Sequence, residues 1–263
     1  MLARELDHTK DLEPLDPEYV NERLSKPPFV SVPGVVNIRD LGSYPSSAHS
    51  GMVTKPRLLY RSGEISSITE QGKAQLKELG VSVVYDLRSD TEIAKYETPC
   101  PHIDGIDVVR TPVFSLEDYS PEMMAKCVDI PTGSLAFLST FALNAMHIAG
   151  KDRTGVVAAL LLKLAGVDDD TIAEDYALTR VGREPMRAMI MARLAKVPLF
   201  ASNHEKALNM LTSRAEIMHA FLNLLDEKYG GVEEYLRRYV GLTDEDIAQI
   251  RQNLLIPTTV SDS

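Results

Sequence analysis

The sequence predicts an α/β fold: a central, mostly parallel sheet flanked by helices, with a helical C-terminal portion. Three observations carry this. β-branched apolar runs alternate with segments of helical spacing through the first part of the chain. The segment A-G-K-D-R-T-G (149–155) reads as a turn leading from a strand into an apolar helix, V-V-A-A-L-L-L. Beyond it, apolar residues recur at helical intervals, punctuated by Gly and Pro. Strands alternating with helices, then a helical run, are the pattern of a layered α/β core.

The elements follow in order. Residues 1–28 are polar, end in Pro27–Pro28, and are expected to form an N-terminal arm with one short helix from Pro17 to Leu24. Residues 29–62 carry strand signals in F-V-S-V, V-V-N-I-R-D-L and R-L-L-Y-R-S, separated by turns at Gly34, Gly42 and Y-P-S-S-A-H-S-G. Thr69 to Leu79 has helical spacing of Ala74, Leu76 and Leu79 and stops at Gly80. Val81 to Leu87 is a buried-strand candidate, Asp90 a cap for a short helix, and Ile106 to Val109 another strand. Residues 113–133 are expected to be irregular with a helical piece, P-E-M-M-A-K-C, after which a strand must lead to Gly150. Helices are expected to start near Thr154, Asp168, Glu184, Asn203, Ser213, Val232 and Thr243. One domain then spans 29–255, and residues 256–263 are expected to fray.

Composition bounds the function. The 263 residues are 44% hydrophobic, enough for a sizeable core, and the net charge is −10. That charge argues against nucleic acid or an anionic membrane surface as partner. Any anion site must be a local basic pocket on an acidic protein. Two cysteines, Cys100 and Cys127, imply no disulfide framework, so a reducing, cytoplasmic setting is expected. The N-terminus is too charged for a signal peptide, and no apolar run is long enough to span a bilayer. No metal-ligand spacing stands out among the six His, and no cofactor is expected. Asp168, Asp169 and Asp170 read as a helix start. The oligomeric state stays open.

The segment 149–155 carries the chemistry. A loop ending at a helix start presents unpaired N–H groups and partial positive charge, which bind anions. Ala149, Gly150, Thr154 and Gly155 would line it. Arg153 adds a planar fork suited to phosphate or carboxylate, and Lys151 a point charge at the mouth. The plainer readings are an Arg153 paired with a carboxylate, held by Asp152 for instance, and a solvated Lys151. Asn37, Arg39 and Asp40, then Arg61 and Ser62, then Asp86 and Arg88 close three strand candidates. Ligands of open α/β sheets bind outside the carboxyl ends of strands. These residues therefore either line the anion site or brace it as a buried polar network.

Six motifs stand in a characteristic order: N-I-R-D-L-G (37–42), L-Y-R-S-G (59–63), Y-D-L-R-S (85–89), A-G-K-D-R-T-G (149–155), D-Y-A-L-T (175–179) and Y-G-G-V-E-E-Y-L (229–236). The chain resembles the atypical tyrosine-phosphatase-like family with the signature H-C-x-A-G-K-D-R-T-G. That family includes bacterial secreted tyrosine/lipid phosphatases and many fungal proteins. The resemblance covers roughly residues 29–255. It implies the protein-tyrosine-phosphatase-like fold, a small phosphate- or carboxylate-bearing ligand, and Asp152 as general acid within the loop. Such an acid must be protonated, whereas Lys151 and Arg153 favour its anion.

The chain departs from the signature at its nucleophile. No Cys stands six residues before any Arg; position 147, six before Arg153, is His147. Aligned without a gap, the family's Cys falls on His147. Aligned with a one-residue deletion, His147 is the signature's leading His and the Cys is absent. His147 then has three readings: a general base, kept neutral by surrounding cations; a nucleophile; or an inert ring filling the pocket. The nucleophile reading suffers because imidazole Nε2 reaches roughly 2 Å farther than a Cys sulfur, and errors of about 1 Å cost ~10²-fold. Two functions therefore compete: an enzyme with Cys-independent chemistry, and a pseudophosphatase that binds a phosphorylated ligand.

Overall fold

The computed structural model describes residues 12–112, 145–148, 151–196 and 198–258. The expected helical piece around residues 121–127, with Cys127, lies outside the described residues, as do Ala149 and Gly150.

Elements run α1 (Pro17–Leu24), β1 (Arg39–Asp40), β2 (Met52–Thr54), β3 (Leu59–Ser62), α2 (Glu70–Glu78), β4 (Val83–Asp86), α3 (Asp90–Tyr96), β5 (Asp107–Arg110) and β6 (Ala145–Ile148). Helices follow: α4 (Lys151–Leu164), α5 (Asp169–Ala177), α6 (Thr179–Gly182), a 3₁₀ turn (Glu184–Met186), α7 (Arg187–Leu194), α8 (Pro198–Ala201), α9 (His204–Asn209), α10 (Ala215–Tyr229), α11 (Val232–Tyr235), a π-helical turn (Leu236–Val240) and α12 (Asp244–Leu254). A last strand, β7 (Leu255–Pro257), closes the described chain.

The main sheet has the order β1-β3-β6-β4-β5. β3, β6, β4 and β5 are mutually parallel, and only β1 is antiparallel. β6 is inserted between β3 and β4, so the strands that open the fold are parted by the strand that arrives last. Both faces are covered, as a parallel sheet requires. Along β3, Leu59 joins the helical face with α4, α5 and α10, while Tyr60 joins the opposite face with Ile65, Leu76 and Val84. This is the period-two alternation of a strand.

α4 is buried on nearly every side, from Val157 to Leu162, because it lies between the sheet and the C-terminal helices. A helix apolar all round must be central. Lys163 interrupts the burial by reaching Asp169 at 2.6 Å, and Leu164 is buried again after it. Helix starts agree with chain chemistry: Asp16, Thr69, Asp168 and Thr243 each cap a helix with a side-chain oxygen.

Several expectations need correction. F-V-S-V forms only isolated bridges, and V-V-N-I-R-D-L contributes only β1. α3 is capped by Ser89, not Asp90; the Ser89 hydroxyl accepts from Glu92 N, and Asp90 takes the first helical position. α4 begins at Lys151 rather than near Thr154, which places Asp152 and Arg153 in the helix's first turn. An acidic residue there complements the helix dipole. The segment expected to fray begins in β7, where Ile256 and Pro257 pair with Val53 and Met52. The arm's helix α1 packs Val20 against Phe29 and Val181.

Candidate functional site

The carboxyl ends of β3, β6 and β4 converge on the start of α4. The register sets Arg61 and Tyr85 on either side of His147 in adjacent strands. His147 is the third residue of β6, and its side chain lies outside what is described.

Adjacent residues on a helix do not share a face, but the first turn of α4 keeps Lys151 and Asp152 within reach of each other and sends Arg153 elsewhere. Lys151 is buried and its Nζ donates to Thr212 O at 2.7 Å, so the solvated reading fails. Burial pushes its pKa down, partly offset by Asp152. Asp152 Oδ1 accepts from the Tyr176 hydroxyl at 2.6 Å and lies 3.6 Å from Lys151 Nζ. Arg153 turns the opposite way. Its Nη1 donates to Leu87 O at 2.9 Å and its Nη2 to the Glu92 carboxylate. The carboxylate that holds Arg153 is therefore Glu92, from α3, and not Asp152. Arg153 Nε makes no hydrogen bond among the described residues.

Gly155 is required where it stands. A Cβ there would come within 2.8 Å of the Tyr176 ring and 3.6 Å of Arg61 Nη2. Tyr176 is pinned at both ends: its hydroxyl by Asp152, its carbonyl by Ser213 Oγ at 2.7 Å. Burial, then the Asp152 charge, raises the Tyr176 pKa, so it remains a donor. Thr154 is buried below.

The strand-end residues form two networks. In the first, buried Asp175 accepts from Arg39 Nε at 2.9 Å, Arg61 Nη1 at 2.6 Å and the Tyr44 hydroxyl at 3.1 Å. Arg39 also donates to Thr179 Oγ1 and Asn37 Oδ1. Burial alone would raise the Asp175 pKa, but the two arginines outweigh it and the net shift is down. In the second, Arg88 holds Asp86 through Nε at 2.9 Å and Nη2 at 3.0 Å, and Cys100 Sγ donates to Asp86 at 3.1 Å. Burial and Asp86 push the Cys100 thiol up to about 12, which makes it a poor source of thiolate. Glu64, following β3, accepts from Arg88 at 3.3 Å and Arg193 at 3.0 Å. Asp40 instead accepts the backbone N–H groups of Gly42 and Arg57, pinning a loop at the other end of β3.

Sequence reasoning singled out Arg39, Arg61 and Asp86 but missed their shared partners. Asp175 and Tyr176 lay in plain view in D-Y-A-L-T, yet no local pattern says that they sit beneath a loop 20 residues upstream. Glu92 carried no signal beyond lying two residues after the expected cap. Among the described residues no three His, Cys, Asp or Glu cluster as metal ligands, and no helix is long and apolar enough to cross a membrane.

Comparison with known proteins agrees with this architecture. The chain is 28% identical to the triple specificity protein phosphatase PtpB of Mycobacterium tuberculosis, over 85% of this chain and 98% of that one. It is 26% identical to a putative tyrosine-protein phosphatase of Cupriavidus necator, covering 84% and 86%. A tyrosine-protein phosphatase of Nostoc commune is also 26% identical, covering 74% and 73%. A model described as the tyrosine phosphatase family matches residues 30–256, and with a parallel sheet feeding a buried arginine at the helix start behind it, the chain belongs to that family.

Proposed function

We propose that this protein is a repurposed member of its family: an enzyme that anchors an anionic small substrate with Arg153 and the 149–155 loop, and uses His147 as general base in place of the Cys nucleophile. One observation carries the reading. The chain runs from β6, ending at Ile148, to α4, beginning at Lys151, with only two residues between, and Arg153 lies in the first helical turn six residues after His147. That spacing equals the family's Cys-to-Arg spacing, and this reading takes His147 as the residue standing at the Cys position. Glu92 and Leu87 O hold one side of the Arg153 fork and leave Nε for a ligand. The ligand class follows from a charged fork beside a helix N-terminus: phosphate or carboxylate. Asp152, held by Tyr176 and Lys151, is arranged to orient a substrate or its water.

The competing reading is a pseudophosphatase that binds a phosphorylated ligand without turning it over. It shares the clamp and differs only in what residue 147 does. Steady-state hydrolysis of an aryl phosphate separates the two. Little or no turnover is expected, because the thiolate that performs the family's chemistry has no counterpart at 147. Robust turnover abolished by His147→Ala would establish His147 as nucleophile; turnover that survives it would remove any covalent role. For the clamp, phosphate should raise the melting temperature in a concentration-dependent way, because it binds the folded state alone. Arg153→Ala should abolish the rise and Arg153→Lys recover little of it, since lysine lacks the fork. Iodoacetate near neutral pH should label His147→Cys rapidly, because a thiol at that position has a depressed pKa. Slow labelling would favour the deleted-residue alignment.

A further inference from the structure

The N-terminal arm is gripped by its main chain. Leu15 N donates to Glu184 Oε1 at 2.9 Å, Arg180 Nη2 donates to Glu13 O at 2.6 Å, and Arg187 Nη2 donates to Leu12 O. The three gripping side chains come from the run between α6 and α7 and are only 10% to 14% exposed. Glu184 also pairs with Arg180 and lies 3.7 Å from Arg187. Charges covered to this degree need partners, and the arm's carbonyl and N–H groups complete the set.

Between this grip and the candidate site lies α6, a helix of four residues. A single turn has no stability of its own, so packing on its sides must hold it. On one side, Leu15, Val20 and Leu24 of the arm cluster with Phe29, Leu178 and Val181. On the other, Thr179 Oγ1 accepts from Arg39 Nη2 at 2.8 Å, and a Cβ on Gly182 would overlap Asn37 Oδ1. Arg39 lies over the Phe29 ring at 5.7 Å and donates to Asp175. The next residue, Tyr176, donates its hydroxyl to Asp152 at 2.6 Å. Only Leu178 separates α5, which carries Asp175 and Tyr176, from α6. An unbroken series of contacts therefore runs from Leu15 to Asp152.

We infer that residues 12–15 are a strap on the candidate site: they hold α6 against Arg39 and, through α6 and the end of α5, keep the Tyr176 hydroxyl on Asp152. Release of the strap frees α6 as a unit and lets the end of α5 fray, so the strap governs how firmly Asp152 is held. The grip falls on main-chain atoms, so it does not depend on the side chains of Leu12 and Glu13. The device is independent of what the loop binds and of what His147 does.

The test is amide hydrogen exchange on the full chain, read residue by residue by NMR, with two variants that break the grip from opposite sides. Leu15→Pro removes the donor to Glu184, and Arg187→Met removes the hold on Leu12 O. The readout is the Gly182 and Arg183 amides, which donate to Leu178 O and Thr179 O. Each variant should speed their exchange roughly fivefold or more, the size of one lost hydrogen bond. Each should also move the Tyr176 ring signals, while the Leu222 and Leu225 amides in α10 and the Tyr235 ring stay as in the wild type. Unchanged exchange in α6 overturns the strap. Faster exchange there with an undisturbed Tyr176 overturns its link to the site, and an equal acceleration in α10 reduces the effect to general destabilisation and overturns it too. If a variant fails to fold, the wild type decides. The strap requires the Leu15, Gly182 and Arg183 amides to open together, with one shared dependence on denaturant, and separate dependences overturn it. No readout involves an anion, so failure of the Arg153 clamp leaves this result standing, and failure of the strap leaves the clamp standing.

Discussion

At the scale of single residues, Asp175 is the most exposed to loss, because it is the shared anion of Arg39 and Arg61 and all three are buried. Breaking a buried pair leaves an uncompensated charge, at a cost of about 3–5 kcal/mol. Asp175→Asn keeps the shape and removes the charge, so the unfolding free energy read from a urea titration should fall by about 3–5 kcal/mol. A change below about 1 kcal/mol would show that the arginines find other partners. Arg61 already has Nε and Nη2 buried without a partner among the described residues, so it has little reserve. Gly155→Ala tests the contact above it. The new methyl meets a ring fixed at both ends, and overpacking of this kind costs on the order of 1–3 kcal/mol. The variant should also displace the Tyr176 hydroxyl from Asp152, which a larger upfield or downfield change at Tyr176 than at distant tyrosines would report by NMR.

At the scale of elements, the site is an agreement between α3 and α4. α4 brings Arg153 and α3 brings Glu92, while the turn after β4 adds Leu87 O. The Glu92 carboxylate competes with any incoming anion for the Arg153 fork, even as it fixes the fork's direction. If competition dominates, Glu92→Gln should lower the phosphate concentration needed for half-maximal thermal stabilisation by several-fold, in line with the loss of one charge-assisted hydrogen bond. A higher requirement would make Glu92 a positioning residue whose removal lets the arginine wander. The same α4 turn lets a run of three charged residues do three jobs: Lys151 donates to Thr212 O while pairing with Asp152 at 3.6 Å, Asp152 accepts from Tyr176, and Arg153 turns to Glu92.

At the scale of the whole molecule, the buried carboxylates set the acid limit. Asp86 and Asp175 both have their pKa lowered in the fold, since arginine charges and hydrogen bonds outweigh the effect of burial. A carboxylate whose folded pKa lies below its unfolded value stabilises the fold fully above that unfolded value. The contribution is lost as pH falls from near the ordinary 3.8 through the lower folded values. The melting temperature should therefore fall steeply below about pH 4, and Asp175→Asn should flatten that fall while lowering the value at neutral pH. A profile unchanged in Asp175→Asn would show that other carboxylates control acid unfolding.

The sequence by itself determined what local chemistry can determine. Hydrophobic period and caps placed α1, α2, α5 and α12 to within a residue or two, because Asp16, Thr69, Asp168 and Thr243 act on their own helices. The strand that delivers the chain toward Gly150 was legible too, from the need to connect the sheet to the apolar helix after it. The tertiary structure decided everything that needs a second element. It alone showed that Glu92 holds Arg153, that Asp175 joins Arg39 to Arg61, and that Asp40 staples a loop at the far end of β3. The pairing of β2 with β7 belongs here too, since a three-residue strand has almost no period of its own to read. The physical reason is common to all of these. Helix periodicity and capping are written within a few consecutive residues, whereas the partner of a buried charge is chosen by strand order and helix packing, across 60 to 140 residues of chain.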